Sequence, residues 1–334
     1  MTVLRTPYLL FVGDARDQLA AKTAVGVLHW RPEWCVGQVR LPGCRAELAL
    51  PEMTIEQGAK AGAGTLIVGV ANRGGVIAED WTDTLVRALE AGLDLASGLH
   101  DRLSDNPRLR QTAERCGRRL FDVRHPDRVF DVGTGSPRAG KRLLTVGTDC
   151  SVGKMYASLA LETAMRARGI KADFRATGQT GIVIAGGGVS VDAVVADFIS
   201  GATEWLSPAN DPDHWDIIEG QGSLFHPSFA GVSLGLLHGA QADVLVMCHE
   251  PTRTHMRGLP DRPLPGIAEC IDANVSAARL TSPGVRCIGV AVNTSGMPPS
   301  DVDGYLAKLE DNLSLPCVDP VATDAGRLVD CLSP

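Results

Sequence analysis

Short apolar runs alternate with amphipathic stretches along this chain, a pattern that predicts strands alternating with helices. Tyr8 to Val12 and Thr65 to Val70 read as strands, the second running into the turn Ala-Asn-Arg-Gly-Gly at 71–75. Glu79 to Ala91 has helical spacing, with Trp81, Leu85, Ala88 and Leu89 on one face and Gly92 as the stop. Leu93 to Ser97 predicts a strand, Asn106-Pro107 opens a helix to about Cys116, and Leu120 to Val123 predicts another strand. Residues 124–140, with Gly133-Thr134-Gly135-Ser136-Pro137, have linker composition, which sets the expected domains at 1–135 and 136–334. The second part repeats the alternation. Strand 142–146 leads to a helix over Lys154–Arg168, and strand Ala172–Ala176 leads to a glycine-rich bend over Gly178–Gly188. A helix is expected over Val191–Leu206, and strands over Trp215–Ile218, Ala242–Met247 and Ile288–Val292. Fully apolar strands between helices imply an α/β fold, with mostly parallel sheets covered by helices on both faces. Ligands of such sheets bind at the carboxyl ends of strands, and the polar clusters of this chain fall there.

The strongest of those clusters is Gly147-Thr148-Asp149-Cys150-Ser151-Val152-Gly153-Lys154, between an apolar strand and a helix. Backbone N–H groups of such a loop, the positive end of the helix dipole and the lysine together cradle a phosphate. The Gly-x5-Gly-Lys count is one longer than the usual Gly-x4-Gly-Lys, so Thr148 takes the place of the first glycine. Met155 follows the lysine where a Mg-dependent nucleotide hydrolase has Ser or Thr, and Ser158 is a full turn further on. The loop therefore points to a phosphate-bearing cofactor before it points to ATP hydrolysis. Cys150 lies inside it, where the dipole and Lys154 would lower a thiol pKa.

Further clusters close other strands. Glu219-Gly-Gln-Gly-Ser puts a carboxylate at a strand end, able to hold Mg²⁺, orient water or take a proton, with Gln221 and Ser223 beside it and His226 shortly after. Cys248-His249-Glu250-Pro251-Thr252-Arg253 continues to Arg257, and arginine forks suit carboxylates or phosphates. Arg73 ends an earlier strand, Asn293 could pair with the edge of an adenine, and Gln179 sits in Thr-Gly-Gln-Thr-Gly at 177–181. Asp192 and Asp197 are five apart on the expected helix, which does not put them on one face. Each cluster also has a plain reading, as a tight turn or a solvated loop.

Composition narrows the partners. A formal net charge of −7 argues against general binding to nucleic acid or anionic membranes. Nine scattered cysteines without a Cys-x-x-Cys pair argue against a zinc site or disulfide framework and for reduced thiols in a cytoplasmic protein. No signal sequence and no uninterrupted membrane-length apolar run is found.

Taken together, Gly-Thr-Asp-Cys-Ser-Val-Gly-Lys-Met (147–155), Ala-Thr-Gly-Gln-Thr-Gly (176–181), Glu-Gly-Gln-Gly-Ser-Leu (219–224) with His226-Pro227, and His-Glu-Pro-Thr-Arg (249–253) resemble one bacterial and archaeal family. It was long catalogued as a domain of unknown function and includes D-glutamate N-acetyltransferase. The resemblance covers most of the chain and implies a Rossmann-like N-terminal domain and a P-loop NTPase-like C-terminal domain. Methionine follows the loop lysine in that family too. It implies acetyl-CoA as co-substrate, no metal requirement, a small amino-acid substrate, and acetylation by direct amine attack on the thioester. A homo-oligomer is the expected assembly. On this reading residues 147–154 and Asn293 hold the cofactor, and Arg73, Gln179, Gln221, Ser223, Arg253 and Arg257 contact the substrate. Glu219, His226 and Glu250 are the candidate bases, in that order. A more distant likeness, to dethiobiotin synthetase, implies instead an ATP- and Mg-dependent ligase or kinase with Glu219 on the metal. A non-catalytic CoA or nucleotide sensor is the third reading.

Overall fold

A computed structural model describes residues 3–332 apart from Arg73 and Asp127. The chain forms two compact units, Met1–Asp127 with Gly178–Ala193, and Arg128–Thr177 with Val194–Pro334. No helix among the described residues is long and apolar enough to cross a membrane.

In the first unit, strands β1 (Tyr8–Gly13), β2 (Cys35–Arg40), β3 (Thr65–Val68), β4 (Asp94–Ser97) and β5 (Leu120–Asp122) form one sheet in the order β2-β1-β3-β4-β5, every pair parallel. β1, β3 and β4 are buried along their whole length, which is why β1 and Leu66–Val68 read as apolar runs, while β4 also buries the polar Asp94 and Ser97 at its ends. The helix Thr82–Glu90 lays Leu85, Ala88 and Leu89 into the core beside Trp81, whose ring meets Phe11 edge-on at 5.5 Å. The indole of Trp81 donates to Asp14 Oδ1 at 2.9 Å, so its polar edge is satisfied inside. Asn106 caps the helix Pro107–Cys116 by accepting from the backbone N–H groups of Arg108 and Leu109, and Gly117 closes it in the left-handed region.

The second unit carries β6 (Lys141–Gly147), β7 (Ala172–Arg175), β8 (Trp215–Ile218), β9 (Val244–His249), an antiparallel pair β10 (His255–Met256) and β11 (Leu259–Pro263), then β12 (Arg286–Val292) and β13 (Cys317–Val318). Its main sheet has the order β13-β12-β9-β6-β8-β7, again all parallel. From β6 the chain crosses to the edge strand β7 and returns to β8 between them, then passes to the other side of β6 and builds outward through β9, β12 and β13. The switch in strand order thus lies at the carboxyl ends of β6 and β9, where parallel sheets open a crevice for ligands.

Two expectations are corrected. Residues 178–188 do not form a bend: Gln179–Ala185 is a helix, entered from extended Gly178 and ended by Gly186 in the left-handed region. Glycines at both ends masked a turn whose Ile182, Val183 and Ile184 are buried. The single helix expected over Val191–Leu206 is instead two 3₁₀ turns, Val191–Ala193 and Ala196–Phe198, before an α-helix over Ile199–Leu206. Extended Val195 interrupts it, as a β-branched pair at 194–195 favours. Asp192 and Asp197 consequently lie on separate turns, and Asp192 faces Arg124 at 3.6 Å within the first unit.

Candidate functional site

The phosphate loop leaves β6 at Gly147 and returns as the helix Lys154–Ala167. Ser151 (φ 55°) and Gly153 (φ 100°) both take left-handed backbone, which turns the loop back over the helix start. The first helical turn has no acidic residue, so its positive end is uncompensated within the helix. Lys154 is 6% exposed and donates from Nζ to the carbonyls of Asp149 (2.9 Å) and Gly222 (2.8 Å). Burial lowers its pKa, with anionic neighbours that include Asp149 and Glu219 offsetting part of that effect. Its ammonium is thus held by neutral carbonyls at the point where an anion would gain most from it.

The loop is latched by a buried carboxylate. Asp149 Oδ1 accepts from the Cys150 N–H at 2.7 Å, and Oδ2 accepts from Arg253 Nη1 at 2.8 Å and the Arg257 N–H at 2.7 Å. Arg253 also donates to the carbonyls of Cys150 (2.6 Å) and Ser151 (3.3 Å), and Arg257 Nη1 donates to Ser151 Oγ. The clamp on a substrate expected from Arg253 and Arg257 meets a different arrangement here, with both guanidinium groups turned onto the loop. The expected low thiol pKa of Cys150 is also corrected: burial raises it, outweighing the lowering by Lys154.

β8 delivers Glu219, 4% exposed, with its carboxylate oriented by the Thr177 N–H (3.0 Å to Oε2) and by Gln221 Nε2 (3.1 Å to Oε1). Gln221 also donates to Thr177 Oγ1 at 3.2 Å, and Thr177 Oγ1 donates to the Glu219 carbonyl at 2.6 Å. Only glycine fits at 220, because a Cβ there would run into the carbonyl of Thr145 on β6. That close approach carries Glu219 beside the loop. Ser223 donates to the Thr148 carbonyl at 3.2 Å. Ser158 is buried against Thr145 Oγ1 at 3.1 Å and is committed there.

β9 ends at His249, a member of the sequence cluster at 248–257 to which the sequence assigns no role. Its Nδ1 meets Thr148 Oγ1 at 3.1 Å, and burial, assisted by Arg253 and opposed by Glu250, pushes its pKa down to about 4. It is a neutral strut that ties the loop's first residue to β9. His226, 2% exposed, also uses both ring nitrogens: Nδ1 accepts from the Ser228 N–H (3.2 Å), so Nε2 carries the proton and donates to the Arg257 carbonyl at 3.1 Å. The Glu250 carboxylate accepts from the N–H and hydroxyl of Thr252 and pairs with Arg253 Nε at 3.4 Å. Of the three base candidates, Glu219 is held through a backbone N–H and a side-chain amide, Glu250 through Thr252 and Arg253, and His226 through both ring nitrogens.

Beside Gly153 opens a cleft of about 330 Å³, within the range of small-molecule sites. Val152, Tyr156, Ala157, Pro320 and Val321 make it mainly apolar. Asn293 stands at its wall, its Oδ1 held by the N–H and hydroxyl of Ser295, while its amide Nδ2 makes no hydrogen bond to any described residue. Atoms of metal-ligand type converge once among the described residues, at Asp149, Cys150 and His226, within 4.8 Å of one another. Asp149 and His226 already spend those atoms on the bonds given above. Gln179 belongs to the first unit, where its side chain packs on Gly98, and Arg73 lies outside the described residues.

Comparison with known proteins gives this site a lineage. Residues 131–329 match the domain of unknown function DUF1611_C, described as a P-loop domain, and residues 39–126 match DUF1611_N, described as a Rossmann-like domain. A D-glutamate N-acetyltransferase of Tritonibacter scottomollicae is 55% identical over 331 residues, 99% of each chain. A second protein of that name, from a Pseudoalteromonas species, is 50% identical over 326 residues, 98% of each. The crystal structure of a DUF1611 family protein from Anabaena variabilis superposes with a TM-score of 0.83 at 30% identity, covering 98% of this chain and 99% of that one. With its Rossmann-like and P-loop parts both matched and its length shared with these relatives, the chain belongs to the DUF1611 family.

Proposed function

We propose that this chain transfers the acetyl group of acetyl-CoA to the α-amine of D-glutamate. The observation that carries the proposal is 55% and 50% identity, along nearly the whole of each chain, with two proteins named D-glutamate N-acetyltransferase. The site supports it. An anion cradle opening beside an apolar cleft with one free amide donor suits an adenosine diphosphate moiety: residues 147–154 take the charge, and Asn293 Nδ2 donates to the purine. Acetyl-CoA contains that moiety, and when bound it supplies an acyl group activated as a thioester. Met155 brings no hydroxyl to a metal, and Ser158 is committed elsewhere, so the helix start offers dipole and ammonium charge.

Glu219 takes the proton that the α-ammonium of D-glutamate must lose before its nitrogen can bond to the acyl carbon. Thr177 and Gln221 orient the carboxylate for that transfer. The bond that breaks is C–S; the nitrogen sheds its second proton as it becomes the amide, so of the two protons that pass through Glu219 one goes to the departing thiolate and the other to solvent. Arg253 and Arg257 keep the cradle in shape through Asp149 and Ser151. The test is product identity: protein incubated with acetyl-CoA and D-glutamate should form N-acetyl-D-glutamate, with L-glutamate as the control. Consumption of ATP with Mg²⁺ and no acetylated product would replace this reading by a ligase of the dethiobiotin synthetase kind. Tight CoA binding without any product would replace it by a sensor.

A further inference from the structure

CoA differs from a simple adenosine diphosphate carrier by one charged group near the base, the 3′-phosphate of its ribose. A ribose phosphate outside a backbone cradle is commonly read by Arg or Lys, whose charge and donors match it. The residues lining the cleft beside the phosphate loop, 152–153, 156–157, 291–295 and 319–322, include no Lys, Arg or His. The acid on the wall is Asp319. Its Oδ2 accepts from the N–H (3.0 Å) and hydroxyl (2.6 Å) of Thr294, and its Oδ1 from the N–H groups of Val321 (3.0 Å) and Ala322 (2.9 Å). Burial alone would raise its pKa, but these donors outweigh burial and lower it, so the wall presents an anion at neutral pH. Basic residues around the 323–330 stretch are already paired: Arg327 with Glu310 at 2.6 Å, and Arg168 with Asp324 and Asp330 at 3.8 and 3.6 Å. Among the described residues about the cleft, positive charge lies at Lys154 and the helix start, the place proposed above for the diphosphate.

Resting on the acetyl-CoA reading, we infer that the site recognises the adenosine 5′-diphosphate part of its acyl carrier and is indifferent to the 3′-phosphate. Acetyl-dephospho-CoA is then as good a donor as acetyl-CoA, and ADP competes with both. The test is D-glutamate-dependent thiol release with the two thioesters. The expected kcat/KM values agree within about threefold, and ADP raises the apparent KM of each by the same factor. A drop of about tenfold or more without the 3′-phosphate overturns the inference, since that is the least a phosphate–cation contact contributes. Failure of ADP to compete overturns it as well. If neither thioester releases thiol with D-glutamate, the acetyltransferase reading itself has failed. If acetyl-CoA alone works, only this inference has. Val321→Arg offers a second arm, because Val321 lines the cleft and is 48% exposed. The new cation should create a several-fold preference for acetyl-CoA that fades with salt. An unchanged ratio would place the ribose away from this wall and contradict the inference.

Discussion

Lowering the pH from 7 to 5 should weaken the second unit through one residue, His249. The ring is buried beside Thr148, and its pKa falls from 6.5 to about 4 on folding. A histidine whose native pKa is depressed contributes stability that is fully present above its unfolded value and lost as pH falls through its native value. The window is therefore pH 6.5 to 4. At pH 5 the unfolded chain carries the proton and the native chain does not, which costs about 2 kcal/mol relative to pH 7, and about 3 kcal/mol once pH is below 4. His249→Asn keeps an acceptor for the Thr148 hydroxyl and removes the titration. Denaturant unfolding of both proteins at pH 7 and pH 5 measures the effect as a difference of differences, in which carboxylates common to both cancel. Wild type should lose about 2 kcal/mol more than the variant over that interval. Equal losses would show that His249 does not change its protonation on unfolding and would refute the description of it as a neutral strut.

Other substitutions separate holding from chemistry. Glu219→Gln preserves an acceptor for the Thr177 N–H, so kcat for D-glutamate acetylation should fall by at least about 100-fold while the KM for acetyl-CoA stays within a small factor, read by initial rates. Arg253→Ala strips a buried Asp149 of its charged partner and should destabilise the protein by about 3 kcal/mol, measured by urea unfolding. Asn293→Ala should raise the KM for acetyl-CoA about tenfold and leave turnover of acetyl-pantetheine, which lacks the adenosine, unaltered. A similar loss with both donors would remove Asn293 from purine recognition.

The frame of this site was legible because it is written in short-range patterns. The apolar run of β6, the glycines about Lys154 and the carboxylate ending β8 each carry their meaning in neighbouring residues, and the structure puts the first two at the switch in strand order and the third on the strand next to β6. What stayed hidden depends on strand adjacency. Arg253 is 104 residues from Asp149 and His249 is 101 from Thr148, and both contacts follow only from β9 lying beside β6. Sequence therefore offers Arg253 and Arg257 as ligand contacts, and their bonds to the loop emerge only from the fold. Burial misled in the same way at Cys150, where nearby cations predicted an acidic thiol and desolvation outweighs them. The helix Gln179–Ala185 was missed because its glycine boundaries are the residues that also mark bends.

The most direct test of the whole reading is the initial rate of thiol release from acetyl-CoA, with D- or L-glutamate, each with and without EDTA. Release that requires D-glutamate and proceeds at the same rate in EDTA is the expected result. No release with either enantiomer, or a rate that EDTA abolishes, would contradict an acetyl transfer carried by the phosphate loop and Glu219.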